Sequence, residues 1–401
     1  MDLETFRWLL TDDGQAVLAA AASASLTAET TPGATAFEVQ KQLRALVSTG
    51  SNDDAEVAAR TAAALGQVEL RRHAAAKLGG DAAVMFFTRE ALEQATRARV
   101  AAHRAARVAV AGPSVVDLTC GIGGDLIAFA RAGLTTAGVD LDPLRVEMAR
   151  ANLAALGLGG AVGLADAVTL DVAPFGTAYA DPGRRTGKGR SFHADDWTPP
   201  WTFVEGLLRG RAVVKAAPGI PHSLVPDGVE AEWVSDAGEV KEAVLWSPAL
   251  ATARRRATVI GRGGLATLTE EDDPGAGTGQ VGGVLYEPDG AVIRAGLVTA
   301  VAAGVDGRLL DPKIAYVTGD APFRTPFATS YRVVEELPYR EKQLRAALRE
   351  RGIGPLTIKK RGVDVVPEDL RKRLGLHGDA AATIVLTRVA GEGTALLVEP
   401  L

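Results

Sequence analysis

Cysteine is nearly missing from this chain: one residue, Cys120, in 401. A single thiol excludes an intrachain disulfide and any zinc site built on cysteines, and it suits a reducing compartment. Histidine is scarce too, with five residues and no H-x-E or H-E-x-x-H spacing, so the sequence offers no metal motif. Long apolar runs are lacking. The stretch Ala16 to Leu26 is rich in alanine and serine, too short and too weakly apolar to span a bilayer. The opening "MDLETFRWLL" carries Asp2 and Glu4 where a secretory signal would be basic. A general cationic excess is missing as well. With a net charge of −5, any contact with nucleic acid must come from local patches. These absences together read as a soluble, cytoplasmic protein that needs no metal.

What is present is ordinary for a globular protein: 47% apolar and 23% charged residues, in a chain long enough for two or three domains. Residues 1–85 read as an all-helical region, rich in Ala, Leu, Gln and Arg, with breaks near Thr30–Gly33 and Ser48–Asn52. Residues 86–110 read as a further continuous helix. From Val115 the pattern changes to short buried strands alternating with helices, which predicts an open α/β sheet, mostly parallel, with helices on both faces. "VEAEWVSDAGEVKEAVLWS" reads as a hairpin around Asp236-Ala237-Gly238, and "RRRATVI" as a strand completing the sheet. The glycine-rich stretch 261–283 reads as a linker or mobile loop. A small α+β region follows, ending in two strands around Gly391-Glu392-Gly393. The resulting division is a helical domain at 1–85, a ligand-binding α/β domain at 86–262, a linker and connecting α+β segment at 263–324, and a C-terminal domain at 325–401.

The strongest local signal is "VVDLTCGIGGDLIAFARAGLTTAGVDLDP". A strand ends at Asp117, a loop holds Gly121, Gly123 and Gly124, and a helix opens near Asp125. Glycine permits positive φ and close approach of backbone to ligand. The dinucleotide fingerprint would need a third small residue where Leu126 stands, and Asp125 would oppose a pyrophosphate at the helix start. Asp140, at the end of the next strand, can accept both ribose hydroxyls of an adenosine. The pattern favours a nucleoside without a phosphate tail. S-adenosylmethionine is such a ligand, with a cationic sulfonium and an amino group near Asp117.

These residues resemble the class I S-adenosylmethionine-dependent methyltransferases, over roughly residues 90–260, and within that class the trimethylguanosine synthase group and related RNA methyltransferases. "TRARVAAHRAAR" is similar to the helix preceding their first strand, and "LTIKKRGVDVVPEDLRKRLG", within residues 325–400, to the THUMP-like domain attached to such enzymes. The resemblance implies a Rossmann-like sheet. It implies that Asp117, Gly121 and Gly123 hold the methionine end, that Asp140 holds the ribose and that Asp166 approaches the adenine amino group, with Thr119 and Leu141 also among the cofactor-binding residues. A helix N-cap is the alternative role for Asp166; Cys120 and His103 read as structural.

"AYADPGRRTGKGR" follows the fourth strand, across the switch in strand order from the first. Amine-methylating members of the class carry (D/N/S)-P-P-(F/Y/W) here, whose acidic or amide side chain and backbone carbonyl accept the protons of an exocyclic amine. This chain has Asp181-Pro182-Gly183-Arg184, lacking the second proline and the stacking aromatic on which cap hypermethylation relies. Asp181 and Pro182 are the candidate catalytic pair. Trp197 and Trp201 would either supply a stacking platform or anchor the loop. Arg184, Arg185, Lys188 and Arg190 are candidate substrate-binding groups for an anion such as a phosphate backbone. The segment 340–373 holds 11 Lys or Arg against 5 Asp or Glu, a second patch suited to RNA. Methylation of an RNA base nitrogen is the reading these residues favour, with the base unstacked to reach Asp181. A small-molecule or protein methyltransferase, and a protein that binds S-adenosylmethionine or RNA without turnover, remain alternatives.

Overall fold

The alanine-rich beginning folds as expected for strong helix formers. The computed structural model describes residues 1–30, 36–48, 53–184 and 197–401. The chain forms two units, Met1–Lys215 and Ala216–Leu401. In the first, α1 (Leu3–Leu9), α2 (Asp12–Thr30), α3 (Ala36–Ser48) and α4 (Asp54–Leu78) lead the chain. The carboxylates of Asp2 and Asp53 cap α1 and α4 by accepting the Thr5 and Ala55 backbone N–H groups. Leu9, Leu43 and Ala64 of these helices share one apolar core with Met148 and Leu153 further along the chain.

The continuous helix expected over residues 86–110 is interrupted. α5 (Arg89–Gln94) stops, Ala95 and Arg97 take extended backbone angles, and α6 (Ala98–Ala111) begins again. Helical periodicity alone could not show this, because the Thr96 hydroxyl between them is bonded to Asp125, far away in sequence. The α/β part follows as β1 (Ser114–Asp117), α7 (Gly124–Arg131), β2 (Thr135–Asp140), α8 (Pro143–Ala155), β3 (Ala161–Leu164) and β4 (Thr177–Ala180). A two-residue ribbon of β5 (Gly183–Arg184) and β6 (Trp197–Thr198), then α9 (Trp201–Leu208) and β7 (Ala212–Ala216), complete it. Strand order here is β7-β4-β1-β2-β3, all parallel. The order therefore reverses between β1 and β4, which opens a crevice beyond their carboxyl ends.

In the second unit, β8 (Glu230–Asp236) and β9 (Glu239–Trp246) form the expected antiparallel hairpin. β10 (Arg255–Gly261) runs parallel to β8. The stretch read as a linker begins instead with a strand, β11 (Gly264–Thr269), antiparallel to β10. Its glycines misled because they serve the turn: Gly264 has φ +110, a conformation favouring glycine. A seven-stranded sheet then assembles from β12 (Val284–Pro288), β13 (Arg308–Asp311), β14 (Ile314–Gly319), β15 (Ala328–Leu337), β16 (Ile353–Lys360), β17 (Ala380–Val389) and β18 (Glu392–Pro400). Its order is β13-β14-β12-β15-β18-β17-β16, so residues on both sides of position 325 share it. α10 (Gly290–Ala295) and α11 (Val298–Gly304) lie between β12 and β13 in the chain. α12 (Glu341–Glu350) and α13 (Pro367–Leu374) bury Leu344, Leu348, Leu370 and Leu374 with Ile384 and Leu386, while Val385 joins the core of the opposite face. Among the described residues, no helix is long and apolar enough to cross a membrane.

Candidate active site

The loop between β1 and α7 is shaped by two glycines with positive φ, +53 at Gly121 and +88 at Gly123. At Gly123 a side chain would be strained twice, since an added Cβ would stand 3.3 Å from Cβ of Ala149. The loop is also held from behind. Asn152 of α8, fully buried, donates from Nδ2 to the carbonyls of Ile122 and Phe86 and accepts the Phe86 N–H at Oδ1. Gln67 of α4 grips the next residue in the same way, through the Phe87 N–H and carbonyl. Two side-chain amides thus satisfy an extended buried segment that has no strand partner.

A cavity of about 680 Å³ opens above this loop. Of the residues expected to bind ligand, Thr119, Gly121, Asp140, Leu141, Asp166 and Asp181 line it; Asp117, Gly123 and Pro182 do not. Asp117 lies behind Thr119 with 1% exposure and accepts the Thr119 N–H at 3.0 Å. Burial, with the charges of Asp125 and Asp181 added, pushes its carboxyl well above the usual range. Asp140 accepts the Gly121 N–H at Oδ2 and the Asp142 N–H at Oδ1, both at 2.9 Å. Each oxygen keeps a second lone pair for a ligand hydroxyl. Leu141 and Val168, both cavity-lining, are 64% and 51% exposed, so their apolar surfaces are open to a ligand. Asp166 caps a turn through the Val168 N–H at 3.0 Å. The walls are acidic, with Glu90, Asp125, Asp140, Asp142, Asp166 and Asp181 against Arg145, and no described lining residue is aromatic.

One wall comes from the segment around the helix break, where Glu90, Gln94 and Thr96 face the cavity. Glu90 pairs with Arg145 of α8 at 3.4 Å. Asp125 is the hub of a network that sequence reading missed. Its carboxylate accepts from Thr96, from the Tyr179 hydroxyl at 3.1 Å, and from Arg104, whose side chain is 1% exposed and whose guanidinium lies over the Tyr179 ring. Burial raises the Tyr179 phenol well above its ordinary range, which keeps it a donor. Asp125, read from the sequence only as an obstacle to a phosphate, therefore organises the cavity floor.

Asp181 follows β4. Its backbone N–H donates to Oγ1 of Thr119 at 2.7 Å, and Lys215 of β7 donates to Oδ2 at 2.5 Å. The aromatic question is resolved by packing: Trp197 and Trp201 are 4% and 5% exposed and stack edge to face with each other at 5.0 Å. They anchor the segment and offer no open platform; Pro199 and Pro200 reach the cavity instead. Of the basic loop, Arg185, Lys188 and Arg190 fall outside the described residues, as does the side chain of Arg184.

The basic region 340–373 is largely engaged within the fold. Arg345 and Arg373 pair with Glu341, Arg351 with Glu335 and Lys359 with Glu287, while Arg349 and Arg371 donate to backbone carbonyls. Arg340, Lys342, Lys360 and Lys372 are exposed and have no side-chain partner among the described residues.

Residues 328–400 match the family described as THUMP domain-like, and residues 2–74 match a domain of unknown function. The chain is 41% identical over 332 residues to uncharacterized S-adenosylmethionine-dependent methyltransferases from two strains of Mycobacterium tuberculosis, covering 80% of this chain and 90% of theirs. A crystal structure described as that of a putative methyltransferase from Porphyromonas gingivalis W83 is similar in fold, at 23% identity, with a TM-score of 0.70 over 96% of this chain and 98% of that one.

Proposed function

The chain belongs to the S-adenosylmethionine-dependent methyltransferases, and from that premise we propose that it methylates a base nitrogen of RNA by direct transfer. S-adenosylmethionine supplies an activated methyl on a sulfonium. The residues present fit it: a cation suits the acidic walls, and the spare lone pairs of Asp140 suit ribose hydroxyls. The exposed Leu141 and Val168 suit the faces of an adenine ring, with Asp166 near its amino group.

The observation that carries the acceptor reading is Asp181. It lines the same cavity as Asp140, and its Oδ1 accepts no hydrogen bond among the described residues. That oxygen can accept an N–H of the acceptor and so aim the nitrogen lone pair. With donor and acceptor bound, the nitrogen lone pair would form the bond to the methyl carbon as the carbon–sulfur pair leaves with sulfur as a neutral thioether, and the nitrogen's proton would pass to water. Catalysis of this kind is positioning and electrostatics. The RNA part of the reading is supported by the THUMP domain-like region with its exposed, unpartnered cations, and by the basic sequence 184–190.

Transfer of labelled methyl from S-adenosylmethionine to total RNA, with protein and small-metabolite fractions in parallel, tests the reading. Label in RNA supports it. Label only in another fraction keeps the methyltransferase and removes RNA, an outcome to which the lack of a described aromatic wall would then give a reason. Asp140→Ala is expected to weaken S-adenosylmethionine binding by about 1.5–3 kcal/mol, through lost hydrogen bonds to a charged acceptor; calorimetry showing unchanged affinity would remove Asp140 from the pose. Replacing Arg340, Lys342, Lys360 and Lys372 by Gln should lower RNA affinity and flatten its salt dependence, by roughly 0.7 in log–log slope per lost contact on single strands. An unchanged slope would assign these residues to solvent.

A further inference from the structure

We propose that Lys215 is a positioning residue for methyl transfer: it holds one carboxylate oxygen of Asp181 and keeps the other aimed at the acceptor. The inference rests on the role of Asp181 proposed above.

β4 and β7 run parallel with Ala180 opposite Val214, so the next rung sets Asp181 beside Lys215. The Lys215 side chain is 15% exposed and that of Asp181 34%, a setting in which water screens the pair only in part. Asp181 is thereby tied at two points from the two neighbouring strands: its N–H to Thr119 just beyond β1, its Oδ2 to Lys215 on β7. One oxygen, Oδ1, remains for the cavity. The surroundings explain why a cation is needed there. Asp117 and Asp125 stand close by: burial first, and then the charges of Asp125 and Asp181, raise the Asp117 carboxyl, and Arg104 is already committed to Asp125. Without Lys215 a third carboxylate would face two others in a partly desolvated place. Repelled by its neighbours and no longer held at Oδ2, it would rotate away, which spoils the acceptor geometry.

A neutral amide at position 181 would accept the same N–H without needing a cation beside it. The test follows from that difference. Methyl-transfer kinetics and S-adenosylmethionine affinity are compared for wild type, Lys215→Met, Asp181→Asn and the double variant, on the fraction that accepts label from the wild type. Lys215→Met is expected to lower kcat at least tenfold, roughly the effect of a misplaced reacting group, while cofactor affinity changes less than about threefold. The double variant is expected to regain activity, to within about threefold of Asp181→Asn alone, because the two residues act as one unit. Losses that multiply in the double variant, or a Lys215→Met enzyme with unchanged kcat, would overturn the inference. If Lys215→Met no longer binds cofactor, Lys215→Arg against Lys215→Gln carries the comparison, with kcat retained only by the arginine. A wild type that methylates no fraction would overturn the assignment of Asp181 and this inference with it. Multiplied losses in an active enzyme would overturn the inference alone.

Discussion

Replacing Asp181 by Ala is expected to lower methyl transfer about 10²–10³-fold, the usual consequence of removing one preorganised polar contact to the reacting group. Two effects combine. The acceptor nitrogen loses the oxygen that would orient it, and Lys215 loses the carboxylate it now holds. S-adenosylmethionine binding should change little, because the Asp140, Leu141 and Val168 contacts lie on other elements. The measurement is kcat with labelled cofactor alongside cofactor affinity by calorimetry. Activity within about threefold of wild type would mean that positioning resides elsewhere.

The largest effect on stability is expected at Asn152. Substitution by Leu keeps the approximate volume but orphans the Phe86 N–H, the Phe86 carbonyl and the Ile122 carbonyl, all served by one buried amide. At about 1–3 kcal/mol for each buried group left unsatisfied, a loss of roughly 3–5 kcal/mol is expected after partial relaxation. For a unit of this size that corresponds to a fall in Tm of about 6–20 °C. The loop carrying Gly121 would be loosened at the same time, so cofactor affinity should fall even where the protein stays folded. Thermal melts with and without S-adenosylmethionine check both parts. A Tm within about 2 °C of wild type would show that water replaces the amide at little cost.

Glycine spacing and strand–helix alternation were readable because they are local. The positive φ at Gly121 and Gly123, the strand-end position of Asp140 and the Asp181-Pro182 step each depend on residues within a few places of one another. The linker reading of 261–283 failed at its start for a related reason: glycine marks a turn equally well inside a hairpin and inside a loop, and only pairing distinguishes them. The excess of basic residues over 340–373 was countable from sequence. How many of them were spent on Glu341, Glu335 and Glu287 was not.

By itself, then, the sequence determined the parallel α/β organisation, the glycine loop, the acid at the end of β2 and the candidate acceptor acid after β4. Each follows from backbone geometry or hydrophobic period over short spans. Tertiary structure alone decided that Lys215 meets Asp181, that Arg104 and Tyr179 converge on Asp125, that Asn152 holds the loop from behind, and that Trp197 and Trp201 bury each other. Residues far apart in the chain are brought together by sheet order, strand register and core packing. No pattern of neighbouring residues encodes those choices, because they are made by the free energy of the whole fold.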